Sequence, residues 1–189
     1  MASAPDAAAT EPCVRRLTPD DAPAYRALML QAYALHPDAF TSSPQERAGL
    51  PLGWWQQRLA AQPAAAEVVF GAFGDGTLVG AVGLAFEARE KARHKAKVTG
   101  MVVLEGWRRR GLAAQLLQAL MAHARAQPGL QILQLTVTQG NRAAEQLYAG
   151  FGFAAFGVEP DAVAVGAGYV AKVHMWRRLN EPPDAIVPA

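Results

Sequence analysis

A single cysteine, Cys13, stands among 189 residues. That excludes an internal disulfide and any zinc site built from several cysteines. Charge of one sign is also scarce, because 18 Lys and Arg against 16 Asp and Glu leave a formal net charge of +2. A surface built throughout for nucleic acid needs more, so any anion site has to be local. No run of about eighteen apolar residues occurs, which excludes a helical membrane span. The opening MASAPDAAATEP has no basic stretch followed by a leucine-rich one, so it does not read as a secretory leader. Alanine and proline dominate both ends. Residues 1–12 are expected to form a disordered tail and residues 180–189 a flexible one, around one domain at 13–179. A cytoplasmic setting is the expectation. Two phosphate-binding signatures are missing as well: there is no Walker loop ending in Gly-Lys-Ser/Thr, and no three-glycine dinucleotide fingerprint.

What is present suffices for one sizeable core, since 51% of the chain is apolar. CVRRL (13–17) alternates as a short strand, and Thr18 or Asp20 can cap a helix that Pro37 ends. Residues 38–53 are turn-rich and irregular, and WWQQRLAA (54–61) reads as a short helix. EVVFGAF (67–73) and LVGAVGLAF (78–86) form a hairpin across Gly74-Asp75-Gly76-Thr77. A charged connection (87–97) leads into the strand VTGMVVL (98–104). Leu112, Leu116 and Leu120 mark an amphipathic helix over 111–127, stopped by Pro128-Gly129. ILQLTV (132–137), a helix at 141–152, and strands at 153–159 and 168–179 complete the chain. This order predicts a mixed α/β sheet rather than a doubly wound one, because strands and helices do not alternate regularly.

The stretch GWRRRGLAA (106–114) is the most informative. Three arginines crowd a helix start, where the dipole already disfavours cations. Strand, short turn and helix point several unsatisfied backbone N–H groups at one spot, which suits an anion. Arg108, Arg109 and Arg110 can also be read as a solvated turn. Binding to DNA phosphate is a third reading, but no paired recognition helix or second basic stripe accompanies it.

Arg108-x-x-Gly111-x-Ala113, after an apolar strand and before an Ala/Leu helix, resembles the acetyl-CoA pyrophosphate motif of GNAT-type N-acetyltransferases. A second stretch, LTVTQGNRAAEQLYAGFGF, resembles the family's closing motif through Asn141, Ala144, Leu147-Tyr148 and Gly152-Phe153. Both occur in the family's order, about thirty residues apart. The resemblance implies a single-domain fold with six to seven strands and about four helices, splayed between the fourth and fifth strands. It implies acetyl-CoA as cosubstrate, no metal, and direct acetyl transfer to a primary amine on a small molecule or a protein N-terminus.

Carried over, Met101, Val102 and Val103 would bind the pantetheine arm. Arg108, Arg109, Arg110, Gly111, Leu112, Ala113 and Ala114 would hold the pyrophosphate, with Asn141, Ala144 and Tyr148 across the cleft. The Met101 amide is the expected oxyanion donor, a contribution of about 3 kcal/mol when preorganised. Tyr148 is the expected general acid, against the alternative of a core tyrosine. Glu87, His94 and Glu105 are candidate bases. Phe40, Trp54, Tyr169 and His174 are candidate acceptor-pocket residues, or core aromatics. The tail FGVEPDAVAVGAGYVAKVHM (156–175) resembles that of a subset of family sequences in which acids follow the tyrosine, and this chain has Ala171 and Lys172 instead. An acyl-CoA sensor without turnover is the alternative reading. Partners implied are acetyl-CoA and an amine, with a homodimer as in many family members, and neither nucleic acid nor membrane.

Overall fold

A computed structural model describes residues 12–62 and 65–180. The expected tails at 1–12 and 180–189 therefore lie almost wholly outside the described residues. The strands are β1 (Cys13–Arg16), β2 (Glu67–Gly74), β3 (Thr77–Phe86), β4 (Lys95–Val103), β5 (Ile132–Thr138), β6 (Ala154–Val165) and β7 (Gly168–Arg178). The helices are α1 (Ala22–Leu35), α2 (Pro44–Ala48), α3 (Leu52–Arg58), α4 (Leu112–Arg125) and α5 (Arg142–Gly150). The strands form one sheet in the order β1-β2-β3-β4-β5-β7-β6, and only β4 and β5 run parallel.

Each strand pair follows from local chemistry. Asp75 (φ 48°) and Gly76 (φ 72°) both take the left-handed conformation that a two-residue hairpin turn requires, fixing the β2–β3 register. Alternation along β2 then sends Val68 and Phe70 to one face and Val69 to the other. α4 covers the first face with Leu112, Leu116, Leu117, Leu120, Met121 and Ala124, all buried. Each large side chain buried in this way contributes about 1.5–3 kcal/mol. α1 and α3 cover the second face, where Leu28, Met29, Trp55 and Leu59 meet Val69, Leu78, Ala81 and Val102.

Several boundaries differ from the sequence reading, α3 among them, which spans Leu52–Arg58 rather than 54–61. The segment read as irregular holds α2, begun by a capping box in which Ser43 accepts from the Glu46 amide and Pro44 supplies the first turn. β4 starts at Lys95, three residues before the apolar run, and β6 continues to Val165 across register shifts. Near the N-terminus, Arg15 grips Asp21 with two hydrogen bonds of 2.7 and 2.8 Å. That grip, with the Thr18 amide, holds the Asp21 carboxyl down to about 2.

Candidate active site

The site begins where the sheet fails to close. β4 and β5 pair only from Lys95–Lys97 to Ile132–Gln134, so their remaining residues diverge. Halfway along β4 the register with β3 slips: Ala81 faces Val102 while Gly83 faces Thr99. Gly100 and Met101 thus stand together opposite Val82. Gly100 carries the positive φ of 61° that such a bulge needs. A bulge leaves backbone groups unpaired, here at the edge of the gap.

At the far end of β4 the chain turns through Glu105–Trp107 into α4. Gly111 caps the helix in a left-handed conformation (φ 76°, ψ 0°), with no side-chain cap and no acid in the first turn. Arg109 also has a positive φ, 58°. The amides of Leu112, Ala113 and Ala114 therefore remain available to an anion. Arg108 does not reach outward. Its Nε donates to the Val103 carbonyl at 3.0 Å and its Nη2 to His36 Nε2 at 2.7 Å. Arg110 lies over the Trp107 ring, 4.7 Å from its centroid. Trp107 in turn covers Gly74, where any Cβ would collide with the ring.

These elements enclose a cleft of about 560 Å³. One wall is Met101, Val102 and Val103, and the end is Arg108, Arg109, Gly111, Leu112, Ala113 and Ala114. The far wall is Asn141, Ala143, Ala144 and Leu147. Asn141 Oδ1 accepts from the Ala144 amide at 3.2 Å, so this residue caps α5 as well as facing the gap. Of the expected cofactor residues, Arg110 and Tyr148 are outside the wall. Tyr148 stands behind Leu147, 6% exposed, its ring edge-on to Phe153 at 5.8 Å. Burial pushes its phenol up to about 12.

The base candidates fare differently. Glu87 and His94 lie at the closed end of the sheet. The Glu87 amide meets the Lys95 carbonyl, and the His94 carbonyl takes the amides of Gln131 and Ile132. His94 is seven residues from Met101, roughly 23 Å along an extended strand, so neither side chain belongs to the cleft. Glu105 lines a smaller cavity of about 470 Å³ beside it, shared with His36 and Arg108.

Among the acceptor candidates, Phe40 does line the cleft. Trp54 sits behind it on α3, with Arg47 and Arg58 over its ring at 4.8 and 4.9 Å. Tyr169 is 67% exposed on β7, and His174 Nε2 donates to Glu159 at 2.9 Å; neither lines the cleft.

The sequence reading missed the group that fixes the mouth. Lys172 on β7 is 4% exposed. Its Nζ donates to the Asp38 and Ala39 carbonyls and to Thr138 Oγ1 at 2.9, 3.0 and 2.8 Å. Thr138 Oγ1 donates to the same Asp38 carbonyl at 2.7 Å. Burial holds the lysine below its ordinary pKa, opposed by Asp38. The segment His36–Phe40 is thereby pinned across the open end of the splay, where His36, Asp38, Ala39 and Phe40 face the cleft.

The family model described as "Acetyltransferase (GNAT) family" matches residues 29–153. Among solved structures, an acetyltransferase of the GNAT family from Streptococcus pneumoniae superposes with a TM-score of 0.80 at 25% identity, over 89% of this chain and 99% of its own. A putative acetyltransferase from Salmonella typhimurium, solved with its cofactor acetyl-CoA, gives 0.74 at 19% identity, over 94% and 100%. A ribosomal-protein-alanine N-acetyltransferase from Brucella melitensis gives 0.72 at 22%, over 88% and 99%. No curated protein matches the chain significantly. Its parted sheet, its uncapped helix start and the matched family model agree: the chain belongs to the GNAT family of acetyltransferases.

Proposed function

We propose that the protein transfers the acetyl group of acetyl-CoA directly to a primary amine, both substrates being bound at once. The observation that carries this reading is the sheet opening after three rungs into a cleft that ends at the bare amides of α4. An extended amide-bearing arm fits beside β4, and a pyrophosphate fits against Leu112, Ala113 and Ala114. Acetyl-CoA supplies an activated thioester there. Met101, at the bulge, has an amide placed to meet the carbonyl oxygen as negative charge grows on it. The proton balance needs no covalent enzyme step: the amine loses one N–H proton, and the sulfur leaves as a thiol. An acceptor arriving as ammonium loses one further proton to water before it attacks. A cytoplasmic setting, where the lone thiol of Cys13 stays reduced, fits this reading.

Tyr148, which follows the wall residue Leu147 on α5 but does not itself line the free cleft, is the proposed donor to the departing sulfur. A phenol at about 12 keeps its proton across the usual assay range, and its ring packs edge-on against Phe153. Tyr148→Phe should lower kcat for thiol release by about 10- to 100-fold, with a melting temperature close to that of the parent. Unchanged kcat at every pH would make Tyr148 a core residue only. The function itself is tested by thiol release from acetyl-CoA over a panel of amines that includes peptides with free N-termini. Binding of acetyl-CoA without release from any amine would favour a sensor.

A further inference from the structure

The bulge in β4 has a second, polar side that the cosubstrate cleft does not use. On the face covered by α1 and α3, Arg58 Nη2 donates to Glu67 Oε1 at 2.7 Å, and Thr99 Oγ1 donates to the same oxygen at 3.2 Å. Gly83 lies between them, and a Cβ there would collide with both groups. Thr99 is two residues from Met101. The Tyr25 hydroxyl lies 4.0 Å from where a Cβ would stand on Gly100. Tyr33 meets Phe40 edge-on at 5.0 Å, and Phe40 lines the cleft. The cluster approaches the cleft at two points, Phe40 through Tyr33 and the bulge residue Gly100 through Tyr25, while Arg47 and Arg58 themselves line neither cavity.

Its charge is not balanced. Arg47 and Arg58 share one indole, that of Trp54, although like charges at such separations repel. Glu67 compensates Arg58. Among the described residues Arg47 pairs with no carboxylate: its Nε and Nη2 both donate to Ser42 Oγ, at 2.9 and 2.7 Å. Arg58 Nε is buried with no hydrogen-bond partner among the described residues. Tyr25 and Tyr33 add no charge at neutral pH, since burial raises both phenols. With Arg47 and Arg58 against Glu67, the cluster carries one surplus positive charge in a half-buried, aromatic-lined setting, where it acts more strongly than in water. Arg26 donates to the Ala48 carbonyl and so holds α2, with Arg47, against α1.

Resting on the acetyltransferase reading, the geometry points to an acceptor that carries an acidic group as well as its amine: the anion sits against the Arg47 guanidinium, and the amine is presented at the β4 bulge beside Met101. Guanidinium and carboxylate or phosphonate match in shape, and their charge-assisted bonds are about twice as strong as neutral ones. The same surplus charge works against polycations, so polyamines and aminoglycosides are poor acceptors.

The test is thiol release with matched pairs: L-amino acids against their carboxamides, and aminoalkylphosphonates against the corresponding alkylamines. The acid-bearing member should be favoured in kcat/KM by at least about 10-fold. In Arg47→Gln that preference should fall to within about 2-fold of unity, and Arg47→Lys should keep part of it. The carboxylate and phosphonate arms show which anion fits. A second readout needs no turnover: with CoA present, the acid-bearing amine raises the melting temperature of the parent and not that of Arg47→Gln. Equal use of both members of a pair, a preference for polyamines, an Arg47→Gln preference unchanged from the parent, or no such thermal protection overturns the inference. Amine acetylation that lacks the preference leaves the acetyltransferase reading standing. Protection by the acid without thiol release from any amine overturns the acetyltransferase reading alone.

Discussion

Gly111→Val is expected to raise the KM for acetyl-CoA by about 100-fold, while Arg110→Ala should change it by less than about 3-fold. Valine at φ 76° occupies a region that a β-branched side chain enters only at a cost of about 1–3 kcal/mol. A Cβ there meets nothing closer than Gln115 Nε2 at 3.9 Å, so crowding is not the cause. The chain relieves the strain by turning the peptide, which re-aims the first amides of α4 away from the pyrophosphate position. Charge-assisted bonds to such amides are worth roughly 1.5–3 kcal/mol each. Arg110 by contrast lies over Trp107, and its charge faces water. Steady-state KM at saturating amine, with calorimetric affinity for acetyl-CoA, measures both variants. Equal effects would mean that the basic triplet binds by its charge alone.

Lys172→Met is expected to lower stability by about 2–4 kcal/mol, roughly 5–12 °C in melting temperature for a chain of this size. It also raises the acceptor KM more than the acetyl-CoA KM. The Asp38 carbonyl keeps Thr138 as a donor, but the Ala39 carbonyl loses its ammonium in a part-buried site. Removing a buried charge returns some desolvation cost, which is why the loss is smaller than three broken bonds suggest. The kinetic part follows from geometry, since the segment released is the one that brings Phe40 and His36 to the cleft. Lys172→Arg does not rescue, because a planar fork cannot meet three oxygens gathered around one point. A scanning melt with both KM values decides the matter, and equal changes in the two KM values would reduce Lys172 to a purely structural role.

Much of the site was legible because its parts are local. A strand, a glycine-bearing turn and an Ala/Leu helix announce bare amides, and Asn141 to Phe153 announce the opposite wall. Elements whose register is set elsewhere were not legible. Lys95–Lys97 read as a charged linker, yet these three residues pair with β5 and close the sheet, with Ala96 buried and Lys97 facing outward. α2 is too short to show periodicity, and its signal was the Ser43–Glu46 box. Sequence proximity to Met101 suggested His94 as a base, but a strand carries neighbours apart at about 3.3 Å per residue. The Lys172 clamp joins positions 134 residues apart, and no local pattern marks such a pair. Arg47 and Arg58 become neighbours only through Trp54.

Three parallel rungs between β4 and β5 are a slender seam for a seven-stranded sheet. Mechanically the molecule is two leaves, β1 to β4 and β5 to β6, joined at one corner and braced by helices. A ligand lying in the gap acts as the missing strut, and whatever it gains by binding it adds to the cohesion of the whole. Those backbone amides of Val98–Val103 and Leu135–Thr138 that face the gap, rather than β3 or β7, then belong to the least protected part of the free core, although they sit at its centre. Solvent hydrogen reaches them through the same opening that admits the cosubstrate, so the rate at which they exchange reports how often the leaves stand apart.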